Sequence, residues 1–130
     1  MSQNDLYSFT YPSNEADIVK VDIKLNPLHP IFEAHFPGRP VLPGVYMMQM
    51  VKEVVETWTE KKIRLVLGQD LKFLSVVNPE ENTRMQMELK IGREGEKIRV
   101  VAQLLSNAVV FFKFKGVFEL VPPAPTKNPR

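Results

Sequence analysis

The stretch Pro43-Gly44-Val45-Tyr46-Met47-Met48-Gln49-Met50-Val51-Lys52-Glu53-Val54-Val55-Glu56-Thr57-Trp58 decides the fold. Met47, Met48, Met50, Val51, Val54, Val55 and Trp58 recur at three- and four-residue spacing, which puts them on one broad apolar face of an amphipathic helix. Pro43 and Gly44 suit its start, because a proline has no N–H to leave unpaired there. The spacing predicts a helix from about Gly44 to Lys61.

Upstream, Val19, Val21, Ile23 and Leu25 alternate with Lys20, Asp22 and Lys24, the period of a half-buried strand. Downstream the chain reads as strands throughout. Ile63 to Leu67 and Leu71 to Val77 come first, and Met85, Met87, Leu89 and Ile91 then alternate with polar neighbours. Gly92-Arg93-Glu94-Gly95 is turn chemistry that joins this strand to Lys97 through Leu105 as a hairpin. The last strand, Ala108 to Leu120, carries Val110, Phe112, Phe114, Phe118 and Leu120 on one face and Lys113, Lys115 and Glu119 on the other. One long apolar helix and a run of antiparallel strands bury their apolar faces against each other. The fold expected is α+β, a curved antiparallel sheet wrapped around one long central helix.

At 130 residues the chain has the size of one domain. We place it at 1–121, with its core from about 16 to 121. The tail 122–130 holds prolines at 122, 123, 125 and 129 and is expected to be extended or disordered. With no cysteine, disulfides, thiolate nucleophiles and zinc ribbons drop out, and two histidines are few for a metal site. Seventeen Lys and Arg against 15 Asp and Glu give a net charge of +2, too small for a strongly basic nucleic-acid binder. The beginning of the chain has no basic region followed by an apolar run, and no apolar stretch is long enough to span a bilayer. A cytoplasmic protein is the expectation.

Both histidines, His29 and His35, lie in a proline-crowded segment before the helix. Its prolines fix φ and restrict their predecessors, so the loop is stiff. A histidine there has a structural or exposed reading as well as a catalytic one. Gly44 favours the catalytic one: at a helix start its N–H has no intrahelical partner and lies at the positive end of the helix dipole. A base on a rigid loop beside such an amide is the equipment for removing a proton next to a thioester carbonyl.

His35-Phe36-Pro37-Gly38-Arg39-Pro40-Val41-Leu42-Pro43-Gly44 resembles the signature of the hotdog-fold 3-hydroxyacyl-acyl-carrier-protein dehydratases, with Arg39 at its variable position. Element order agrees from about Ile18 to Leu120, and Leu71-Lys72-Phe73 through Asn78-Pro79 resembles the strand and turn after the family's helix. The resemblance implies a hotdog fold, dehydration of carrier-bound 3-hydroxyacyl thioesters to trans-2-enoyl thioesters in fatty-acid or related polyene synthesis, and no cofactor. It assigns the base to His35 and the carbonyl-binding amide to Gly44. Around them, Phe36, Pro43, Val45, Tyr46 and Met48 are the expected substrate-binding positions. It further implies an acyl carrier protein as partner, and a homodimer or higher oligomer with joined sheets.

The family's helix carboxylate falls on Gln49, and a glutamine amide hydrogen-bonds but donates no carboxylic proton. Three repairs follow. His35 returns the proton itself while Gln49 orients the hydroxyl; or Glu53, one turn on, supplies the acid, although beside Glu56 and Glu60 it reads as a solvated charge; or a homologous dehydratase subunit in a heterodimer supplies it. Arg39 and Lys72, with Lys61, Lys62 and Arg64, are candidate carrier-docking positions against a solvated-surface reading. His29 and Glu33 read as structural or exposed. A thioesterase and a catalytically weak acyl-binding subunit remain the alternatives.

Overall fold

The computed structural model describes residues 5–34, 38 and 40–122. In chain order the elements are β1 (Tyr7–Phe9), β2 (Ser13–Glu15), β3 (Ile18–Leu25), α1 (Ile31–Ala34), α2 (Gly44–Thr59), β4 (Ile63–Phe73), β5 (Arg84–Glu94), β6 (Lys97–Ser106) and β7 (Val109–Leu120). All strands belong to one antiparallel sheet ordered β1-β3-β5-β6-β7-β4, with β2 also on β3. The expected α+β architecture is the one observed.

Alternation sets which sheet face is dry. Val19, Val21, Ile23 and Leu25 of β3, Met85, Met87 and Leu89 of β5, and Ile98, Val100, Ala102 and Leu104 of β6 are all buried, as are Phe112, Phe114 and Phe118 of β7. Against them lie Met47, Met50, Val51, Val54 and Val55 of α2. Each fully buried aliphatic side chain of this kind is worth roughly 1.5–3 kcal/mol relative to exposure, so this face holds α2 in place. The helix ends at Thr59, two residues before the expected limit, because Glu60 turns left-handed with φ 57°.

Turn chemistry fixes the registers. Ala16 and Asp17 (φ 52° and 67°) link β2 to β3, and Asn107 and Ala108 (φ 50° and 67°) link β6 to β7. Positive φ at both residues matches the strand twist in a two-residue hairpin loop. The β5–β6 turn is shorter than its sequence suggests: Arg93 and Glu94 pair with Ile98 and Lys97, leaving Gly95 and Glu96 as the loop.

Two expectations are corrected. The segments 63–67 and 71–77 do not form two strands but one, β4, which stays paired to β7 through bulges between Leu65 and Leu67 and between Gly68 and Asp70. Bulges absorb extra residues and bend a strand without ending it. Gly116 opposite permits the close approach, since a Cβ there would lie 2.5 Å from the Leu67 carbonyl oxygen. Strand structure stops at Phe73, and Val77 is buried in a loop where its carbonyl accepts from the Leu42 N–H at 2.9 Å. The core also begins ahead of residue 16: Leu6, Tyr7 and Phe9 are buried in it.

Candidate active site

The first turn of α2 is set by one backbone conformation and two hydrogen bonds. Pro43 caps it in extended conformation (φ −63°, ψ 144°), without a side-chain hydrogen bond. Its carbonyl accepts from the Tyr46 N–H at 3.1 Å, and the Leu42–Val77 bond ties the preceding loop to the segment after β4. Among the described residues the Gly44 N–H has no acceptor. That donor sits at the positive end of a helix of 16 residues, where it can stabilise developing negative charge.

Above Gly44 lies the ring of Phe73, the last residue of β4. A Cβ on Gly44 would fall 2.7 Å from Phe73 Cε1 and 2.8 Å from Cζ, so any other residue here would have to push the ring aside. The ring is tilted against Phe112 with centroids 5.0 Å apart. Its other side is open, since Phe73 is 53% exposed. Val45 is exposed as well, and Pro43, Tyr46 and Met48 are half-buried. An apolar floor results beside the first amides of α2, of which neither Gly44 N–H nor Val45 N–H has an acceptor among the described residues. His35, Phe36 and Arg39 lie outside the described residues.

Gln49 is exposed on α2, one helical turn before Glu53. Its Nε2 donates to Glu53 Oε2 at 3.2 Å, and the Tyr7 hydroxyl donates to Glu53 Oε1 at 2.8 Å. The reading of Glu53 as a solvated charge is thereby corrected: it is half-buried and joins β1 to α2. An ionised carboxylate only accepts, so the amide nitrogen of Gln49 faces it. Tyr7 is the residue that sequence reasoning missed; its signal is the Leu6-Tyr7-Ser8-Phe9 alternation within an otherwise polar beginning.

The remaining candidates are dispersed. Lys72 lies 3.7 Å from Asp70. Arg64 pairs with Glu119 at 2.7 Å, and Lys97 reaches the same carboxylate at 2.9 Å. Hydrogen bonds from Lys97 and then Arg64 hold the Glu119 carboxyl below the usual carboxylate range. His29 is structural, its Nδ1 accepting from the Ile31 N–H at 3.0 Å at the start of α1, and Glu33 is exposed. Among the described residues no cluster of three metal-binding side chains occurs, and no helix is long and apolar enough to cross a membrane.

Known proteins share this fold. The fold is similar to a chain of the dehydratase heterocomplex ApeI:P from Xenorhabdus doucetiae, with TM-score 0.67 and 16% identity over 90% of this chain and 99% of that one. It is also similar to the putative thioesterase yhdA from Lactococcus lactis, with TM-score 0.61 and 12% identity over 92% and 95%. In sequence the chain is 33% identical over 89 residues to the 3-hydroxyacyl-[acyl-carrier-protein] dehydratase FabZ of Caulobacter vibrioides, covering 68% of this chain and 52% of the relative. The FabZ of Chlamydia pneumoniae is 30% identical over 97 residues, 64% of this chain and 63% of the relative. The chain thus spans about half to two-thirds of the length of the curated relatives it matches. The model of the ApeI-like family, described as ApeI dehydratase, matches residues 11–110. This chain belongs to the ApeI-like dehydratase family.

Proposed function

We propose that the protein converts carrier-bound 3-hydroxyacyl thioesters to trans-2-enoyl thioesters and water, in fatty-acid or related polyene synthesis in the cytoplasm. The observation that supports this reading is the first turn of α2: a Gly44 N–H without an acceptor among the described residues, beside the Phe73 ring, at the end of the His35 motif. In this reading the thioester carbonyl accepts from Gly44, which stabilises the charge developing on its oxygen as the Cα–H bond breaks. One such donor is worth about 10²–10³ in rate in other enzymes. His35 takes the α-proton and returns it to the 3-hydroxyl, so the Cβ–O bond breaks and water leaves. No cofactor enters. Histidine suits both transfers because its charge changes near neutral pH.

An acyl carrier protein is the proposed partner, met by the basic positions Arg39 and Lys72. Assembly through β4 is also proposed. That strand pairs on one side with β7 and forms an edge of the sheet, where Leu65, Val66, Leu67 and Leu71 are 41–50% exposed. Long apolar edges of this kind pair with another chain. Gln49, exposed and without a carboxyl proton, favours a second form in which a homologous subunit supplies the acid.

The test gives 3-hydroxyacyl carrier protein to the purified full chain, alone and with any homologous subunit that copurifies, and follows the carrier by mass spectrometry. Loss of one water is expected. Release of the free acid would assign a thioesterase instead, and an unchanged but bound ligand an acyl-binding subunit.

A further inference from the structure

We infer that Glu53, pinned by Tyr7, is a positioning residue that fixes which way the Gln49 amide faces. The inference rests on the dehydratase reading above and identifies what replaces the missing helix carboxylate. Three side chains carry it: the buried Tyr7 on β1, the half-buried Glu53 and the exposed Gln49 on α2. The Tyr7 hydroxyl donates to one carboxylate oxygen at 2.8 Å and Gln49 Nε2 to the other at 3.2 Å.

A free glutamine amide presents its oxygen or its nitrogen with equal ease, and the two ends do opposite things to a substrate hydroxyl. If Nε2 faced the 3-hydroxyl it would donate to the hydroxyl oxygen, the atom that must receive a proton to leave as water. Facing Oε1 instead, the hydroxyl donates its own proton and its lone pairs stay open to the imidazolium of His35. Glu53 selects the second state. Flipping the amide would turn Oε1 toward an acceptor-only carboxylate, two acceptors facing each other with no proton between them. The Tyr7 bond keeps that carboxylate from swinging away, because Tyr7 is itself held in β1, paired in register with Leu25 of β3. Glu53 thus acts through Gln49, with no proton of its own transferred to the substrate.

A double-variant cycle tests this on the full chain, assembled with its partner subunit where one copurifies. Glu53→Ala should lower kcat about tenfold, the equivalent of about 1.4 kcal/mol, with KM nearly unchanged. Tyr7→Phe should lower it several-fold, and Glu53→Gln, which keeps the shape but accepts or donates, should fall between wild type and Glu53→Ala. In a Gln49→Ala background, Glu53→Ala should have no further effect, as expected of coupled neighbours. Full multiplication of the two losses would overturn the inference by making Glu53 an independent catalytic group, and so would unchanged turnover in Glu53→Ala. A second measurement does not depend on activity: the Gln49 side-chain N–H resonances should shift in Glu53→Ala and in Tyr7→Phe while thermal melting shows the fold intact. Unshifted resonances would overturn the positioning. Shifted resonances in a chain that leaves 3-hydroxyacyl carrier protein unchanged would keep the positioning and overturn the dehydratase reading instead.

Discussion

Replacing Gly44 by Ala separates the requirements of folding from those of binding. The added methyl carbon would lie 2.7 Å from Phe73 Cε1, whereas carbon atoms settle at about 3.5–4.0 Å, so the ring must retreat by about 1 Å. Because Phe73 is 53% exposed, it can swing outward, at the cost of its contact with Phe112. Overpacking of this sort costs about 1–3 kcal/mol, and the better helix propensity of alanine offsets up to about 1 kcal/mol. The net loss is about 0–3 kcal/mol, a fall in Tm of at most about ten degrees. Activity should suffer far more, since a methyl group and a displaced ring now crowd the amide that we assign to the thioester carbonyl; the N–H itself remains, so the loss is at most the factor of about 10²–10³ in kcat that losing such a donor costs. Circular dichroism melting and turnover of 3-hydroxyacyl carrier protein check the two halves. Adding Phe73→Ala should relieve the strain, so the stability losses should fall short of additive. Turnover of Gly44→Ala within twofold of wild type would refute the assignment of this amide.

Other perturbations read other parts of the structure. Ala108 has φ 67°, a left-handed conformation that costs a side-chain-bearing residue about 1–2 kcal/mol, so Ala108→Gly should raise the unfolding free energy by about 1 kcal/mol in urea titration. Glu119 has a lowered carboxyl range, so its contribution to stability is complete at neutral pH and is lost as the pH falls through that lowered value. Glu119→Gln should therefore be less stable than wild type near pH 7, and the difference should close in acid; a difference that widens in acid would contradict the pairing with Lys97 and Arg64. Leu67→Lys places a charge on the exposed edge of β4, and if the proposed assembly through this edge holds, light scattering should report oligomers for wild type and monomers for the variant, with unchanged circular dichroism.

Much of this fold was legible because its signals are periodic. The apolar spacing of Met47 to Trp58 and the alternation of Val19 to Leu25 survive in the structure residue by residue. Packing across sequence distance was not legible. The segments 63–67 and 71–77 read as separate strands, but they are joined through bulges in β4 that are defined by the partner β7, which lies far along the chain. Likewise Tyr7 belongs to a three-residue strand whose pattern is too short to stand out, and only the fold brings its hydroxyl to Glu53. Gly44 was legible as a helix start, whereas the ring that crowds a side chain there, Phe73, required the register of β4. The place of Gln49 was read from motif spacing, and its hydrogen bond to Glu53 follows from helical geometry once both are known to share a face.

In the proposed mechanism one imidazole removes the α-proton and returns it, with no carboxylic acid at position 49. Its most direct measurement compares wild type with His35→Ala on 3-hydroxyacyl carrier protein in single-turnover mass spectrometry, using whatever assembly the full chain forms. Wild type should give trans-2-enoyl product and one lost water, and the variant no detectable elimination. Equal elimination by both would contradict the mechanism.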